Sequence, residues 1–183
     1  MRKIVASGLI LVLGLVFIGC NGSSGNSADS ASAGLDKTFS MANGALTFNV
    51  SDSWRSDPGV MTDDMEEYVF ATSTMSLSVI SYPGYDSQPY EHYASIPSLY
   101  EQDFGVTNFQ DISQKEISLS NIPGATVTIF KFSYSDPDYG DMIENIIHIN
   151  RNNSSIIIFY STTSNTYDES ILNAFLNSIN WTI

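Results

Sequence analysis

Residues 125–160 read ATVTIFKFSYSDPDYGDMIENIIHINRNNSSIIIFY, and three runs within them decide the fold. Ala125–Tyr134 is apolar on both sides, Asp141–Asn150 carries Ile143, Ile147 and Ile149 on one side, and Ser155–Tyr160 is apolar throughout. Side chains alternate between the two faces of a strand, so a strand that is apolar on both sides belongs to a sheet covered on both faces. The acidic run SDPDYGD between the first two strands reads as the turn of a hairpin.

Downstream, Ile171, Leu172, Phe175, Leu176 and Ile179 fall on one stripe of a closing helix. Thr166-Tyr167-Asp168-Glu169 supplies a capping box at its start. Upstream, Phe109–Leu119 is broken and polar, as expected of an edge strand. Residues 90–104, YEHYASIPSLYEQDF, have helical spacing, but Pro97 predicts a kink or a late start near Ser95. Gly105 is a suitable stop. Tyr68–Thr72 and Ser76–Tyr82 read as a further strand pair, and 57–67, DPGVMTDDMEE, as a turn-rich acidic loop. Residues 35–50 read as a hairpin turning at Asn43-Gly44, because both central positions of a type I′ turn need φ > 0. Trp54 follows that hairpin and is expected to anchor the core.

The order is strands, helix, strands, helix. It predicts an α+β fold: a single domain over residues 35–183, with a mainly antiparallel central sheet of about six to seven strands and helices packed on it.

The N-terminus has a different character. Arg2 and Lys3 precede IVASGLILVLGLVFI, an uncharged run with the length of a signal-peptide core rather than a membrane span. Phe17-Ile18-Gly19-Cys20 then resembles the lipobox of bacterial lipoproteins, with Phe in place of the usual Leu at the −3 position. That resemblance implies a signal peptide over 1–19, cleavage before Cys20 and a diacylglycerol (palmitate-type) lipid on its thiol. An uncleaved anchor, or an ordinary signal cleaved elsewhere, is the alternative. Cys20 is the chain's one cysteine, so the mature domain has no disulfide and no thiolate chemistry. Residues 21–34, NGSSGNSADSASAG, have nothing to bury and read as a flexible tether.

The chain carries a formal net charge of −13. Without Arg2 and Lys3, five basic residues face 20 acids, a net charge near −15. Such a surface is repelled by phosphate backbones, which excludes nucleic acid as a partner and leaves the lipid to hold the membrane. The expected location is outside the cell membrane, or on an outer membrane if one exists, with the domain a monomer.

The chain also resembles a known fold family. LTFNVSDSW (46–54), two short strands, a mid-chain helix, SLSNIPGATVTIF (118–130), two apolar strands and ILNAFLNSINW (171–181) look like the PsbP-like α/β/α sandwich found in many bacterial lipoproteins. The resemblance covers about residues 38–181. It implies an assembly factor or partner-binding module and brings no catalytic residues with it.

Motifs for chemistry are few. HExxH, GxSxG, CxxC and a phosphate loop are all missing from the sequence. His92 and His148 have no evident orienting partner, so no catalytic residue is assigned and the chain is read as a non-enzyme needing no cofactor beyond the lipid. Two acidic clusters admit a divalent cation: Asp57, Asp63, Asp64, Glu66 and Glu67, and Asp136, Asp138, Asp141 and Glu144. The bland alternative is a pair of solvated hairpins. Tyr82, Tyr85, Tyr90, Tyr93 and Tyr100 crowd one region with Pro83, Gly84 and Pro89. Helix packing and a strand end account for Tyr82, Tyr93 and Tyr100, which leaves Tyr85 and Tyr90 as candidates for contact with an envelope protein. A cation- or ligand-binding lipoprotein is the second reading, and a hydrolase the third.

Overall fold

The computed structural model describes residues 34–84 and 96–182, and these form an α/β/α-type sandwich around a seven-stranded sheet. Strands β1 (Lys37–Met41) and β2 (Leu46–Val50) make the expected hairpin. Its turn differs from expectation. Met41 pairs with Leu46, so four residues turn the chain, and Ala42, Asn43 and Gly44 all take positive φ. The backbone N–H of Ala42 donates to the Glu66 carboxylate, which helps hold this unusual turn.

The stretch read as an acidic loop is instead a hairpin of β3 (Arg55–Thr62) and β4 (Met65–Ala71), turning at Asp63-Asp64. Proline and polar residues are tolerated in β3 because it is an outer edge, exposed along nearly its whole length. A register shift between Pro58 and Met61 bulges it. β5 (Met75–Tyr82) follows. Helix α1 is described over Ile96–Phe104, and the expected start near Ser95 lies outside the described residues; the helix stops at Gly105, whose φ is +66°. β6 (Thr107–Ile117) is the other exposed edge, as its broken pattern predicts.

β7 (Thr126–Asp136), β8 (Gly140–Arg151) and β9 (Ser154–Thr163) are the decisive strands, and β8 and β9 are buried on both faces. Asn152 and Asn153, with φ of 50° and 59°, turn β8 into β9 in two residues. Helix α2 (Glu169–Ser178) and the short β10 (Asn180–Trp181) close the chain.

The large sheet runs β3-β4-β5-β9-β8-β7-β6, and its pairings are antiparallel. A small sheet runs β1-β2-β10. On one face of the large sheet, α2 and the small sheet enclose Phe48, Phe70, Phe175, Leu176 and Trp181. On the other face, α1 covers Phe130, Phe132, Tyr134 and Ile146.

Two local expectations are corrected. The cap of α2 is Asp168, whose side chain accepts from the Ser170 N–H at 2.8 Å. Thr166 is spent instead on the Thr162 hydroxyl, also at 2.8 Å. Trp54 is only partly buried against the core, whereas Trp181 is 3% exposed and is the core tryptophan.

Candidate functional site

The second face of the sheet differs from the first in its polar content. β8 sends Met142, Glu144, Ile146 and His148 to that face by strand alternation. Glu144 is wholly buried. Its Oε1 accepts from the Tyr100 hydroxyl at 2.8 Å, and its Oε2 from the Tyr134 hydroxyl at 3.0 Å. Tyr100 comes from α1 and Tyr134 from β7, so one carboxyl ties the helix to the sheet. Ser161, directly across the β8–β9 ladder, adds a third hydroxyl.

Burial disfavours the charged carboxylate and pushes the Glu144 pKa up to about 7, with the bonds from Tyr100, Tyr134 and Ser161 pulling the other way. Tyr134 is pushed upward, mainly by its own burial and then by the neighbouring Glu144 charge, so it stays a neutral donor. The rings around the carboxyl are tightly arranged. Tyr100 meets Tyr134 edge to face at 5.5 Å and Phe109 at 6.1 Å.

A second acid is treated similarly. Glu67 on β4 is wholly buried on the same face. It accepts from the Ser78 hydroxyl at 2.7 Å and from the Val60 N–H at 3.1 Å. A Cβ on Gly59 would run into the Glu67 side chain, so a larger residue in this bulge of β3 would have to displace that carboxylate.

The sequence candidates are placed as follows. Asp136 Oδ1 accepts from the N–H groups of Asp138 and Tyr139 at 2.8 and 2.9 Å, an Asx turn that closes the β7–β8 hairpin. Asp141 accepts from the Ser135 hydroxyl and faces away from Glu144. The four acids Asp136, Asp138, Asp141 and Glu144 therefore do not converge, and among the described residues no group of acids and histidines could hold a metal ion. The first acidic cluster is also dispersed. Asp57 pairs with Arg55 at 3.1 Å, Asp63 and Asp64 form an exposed turn, Glu66 reaches the β1–β2 turn and Glu67 turns inward. His148 is buried, 1% exposed. Cys20, Tyr85, Tyr90 and His92 lie outside the described residues.

The Glu144 cluster was not visible as a unit in the sequence. The available signal is one acid in the largely apolar strand MIENIIHI. Its partners Tyr100 and Tyr134 come from a separate helix and strand.

The solution structure of cyanobacterial PsbP (CyanoP) from Synechocystis sp. PCC 6803 superposes with a TM-score of 0.60. The alignment covers 89% of this chain and 99% of that chain at 15% identity. The fold is PsbP-like. A protein of unknown function from Pseudomonas aeruginosa aligns at a TM-score of 0.36 and 12% identity, over 71% of this chain and 84% of that one, which is too loose to argue from. No family model matches the chain, and no curated protein matches it in sequence. Tyr100, Tyr134 and Glu144 are each at most 4% exposed.

Proposed function

We propose that this chain is an exported lipoprotein, held to the membrane by a lipid on Cys20, whose PsbP-like domain is a non-enzymatic protein-interaction or assembly module. The carrying observation is where the domain's inward acids are spent. Glu144 is consumed by Tyr100 and Tyr134, and Glu67 by Ser78 and the Val60 N–H. Groups that could do proton chemistry thus fasten the helix and the edge strand to the sheet. Recognition then falls to the surface, and the proposed contact is the Tyr-rich loop, with Tyr85 and Tyr90 as its anchors. The tether over 21–34 gives the domain reach to other envelope proteins.

Two experiments test this. Labelled palmitate should enter the parent chain and not Cys20→Ser, and palmitate on the serine variant would defeat the anchor. Tyr85→Ala with Tyr90→Ala should keep the melting temperature but lose a partner captured by cross-linking in intact cells. Capture at parental levels would remove this loop from the reading. A hydrolase activity abolished by His148→Ala would overturn the non-enzymatic reading altogether.

A further inference from the structure

Helix α1 is described over nine residues, of which Ile96 and Tyr100 are buried and Phe104 is partly buried against the same core. It contains no Lys or Arg, and none of the ion pairs among the described residues includes Glu144. The helix is therefore a thin cover over a fully enclosed carboxyl that, among the described residues, has neutral donors and no countercharge. We propose that Glu144 is a pH-responsive latch that sets how tightly α1 is held on the sheet.

The cover that yields first decides how Glu144 responds to charge. A charged carboxylate in a dry site is costly unless it is paired. Water relieves that cost, and water enters where the packing is weakest. Beneath Glu144 the strands β7, β8 and β9 are locked in continuous ladders. Above it, α1 is a single short helix whose hold includes the buried Ile96 and Tyr100, the partly buried Phe104, the Tyr100 ring contacts and the Tyr100 hydroxyl bond, with no strand ladder of its own. Lifting α1 hydrates Glu144 without breaking the sheet.

The surroundings supply few competing charges. α1 presents Tyr100, while Glu101 and Asp103 are exposed. β7 presents Tyr134, with Asp136 at its end. β6 places the exposed Asp111 beside Phe132, which itself lies across from Glu144. β8 carries His148 further along the same face, and β9 offers Ile157, Phe159 and Ser161 there. The sign follows from the direction of the shift. Burial raises the folded-state pKa from 4.5 to about 7, so the neutral acid is favoured in the closed form. The hold on α1 is complete below the unfolded value and is lost as the pH rises through the folded one.

Hydrogen exchange by mass spectrometry on the full chain in detergent, corrected for intrinsic rates, reads the latch directly. Protection of the α1 amides should be at least about tenfold lower at about pH 8.5 than at about pH 5.5, with β8 and β9 amides changing less than roughly twofold. In Glu144→Gln, α1 should stay protected at both values. A pH-independent α1 in the parent, or an unchanged pH response in Glu144→Gln, overturns the proposal. So does a response that vanishes in His148→Asn while surviving in Glu144→Gln. If Glu144→Gln does not fold, the carboxyl carbon of Glu144 is followed by NMR in the parent chain. A midpoint near neutrality supports the latch, and one in the ordinary carboxylate range ends it.

Discussion

The two faces of the large sheet are built on opposite principles. The face under α2 and the small sheet is dominated by aromatic packing, with Phe39, Phe48, Phe70 and Phe175 meeting at centroid distances of 4.9 to 5.7 Å. The face under α1 buries apolar rings too, but it also swallows two carboxyls and the hydroxyls that satisfy them. The first face holds by volume and area, so its strength is nearly independent of pH. The second holds partly by hydrogen bonds around ionisable groups, so its strength depends on which protons are present. One sheet thus carries a fixed side and an adjustable side.

The largest expected effect tests the fixed side. Phe175 on α2 is 1% exposed and touches Phe48 at 5.3 Å. Phe175→Ala should cost about 3–5 kcal/mol in urea unfolding, equally at acid and neutral pH. A cost that changes strongly with pH would erase the distinction between the faces.

The next tests the adjustable side. The folded pKa of Glu144 is raised from 4.5 to about 7, so its neutral form stabilises the fold below the lower value and that benefit fades up to the higher one. Glu144→Gln should remove this slope. Its stability relative to the parent should improve by about 3 kcal/mol between pH values below the unfolded pKa and those above the folded one. Equal pH profiles for the two chains would show that the buried acid is not the source.

Ser78→Ala should cost about 1–3 kcal/mol, because it leaves one Glu67 oxygen buried without its donor at 2.7 Å. Replacing Ser76, the next residue along that face of β5 and only partly buried, should be nearly silent in the same denaturant titration. The smallest effect belongs to the α2 cap. Asp168→Ala should lower the melting temperature by a few degrees, by removing the acceptor for Ser170 N–H. Thr166→Ala should leave helix content unchanged if Asp168 alone caps α2.

The fixed side was the legible one. Repeating apolar side chains mark Leu46, Phe48 and Val50 in β2 and the α2 stripe from Ile171 to Ile179, and these residues are buried as their spacing predicts. The central sheet followed from β8 and β9 for the same reason. Legibility failed where one residue's role depends on a distant partner. Glu67 sits three residues past the exposed Asp63-Asp64 turn and reads as part of a charge run, yet it is buried because the β3 bulge wraps over it. Glu144 reads as one member of an acidic cluster with Asp136, Asp138 and Asp141, but strand parity turns it inward in β8, away from Asp141. Trp54 was expected in the core because it follows a clear strand, but Trp181, brought by β10 against Leu46, took that place. Composition around β3 suggested a loop because edge strands tolerate the residues that loops favour.

The strand order also bears on how quickly such a chain can assemble. β3, β4 and β5 form one run of neighbours in sequence, and β6 to β9 form another. Each run can zip by hairpins whose partners are close along the chain. The union of the two at β5–β9, where Leu77 meets Tyr160, and the closure of β2 by β10, where Leu46 meets Trp181, join distant segments. Such pairings must meet the entropy of large loops before any contact compensates, which places folding in the slow, milliseconds-to-seconds class of β-rich domains. The seam at β5–β9 should therefore be the last part of the large sheet to form. Until it closes, the inner edges of both half-sheets stay open to misplaced strands.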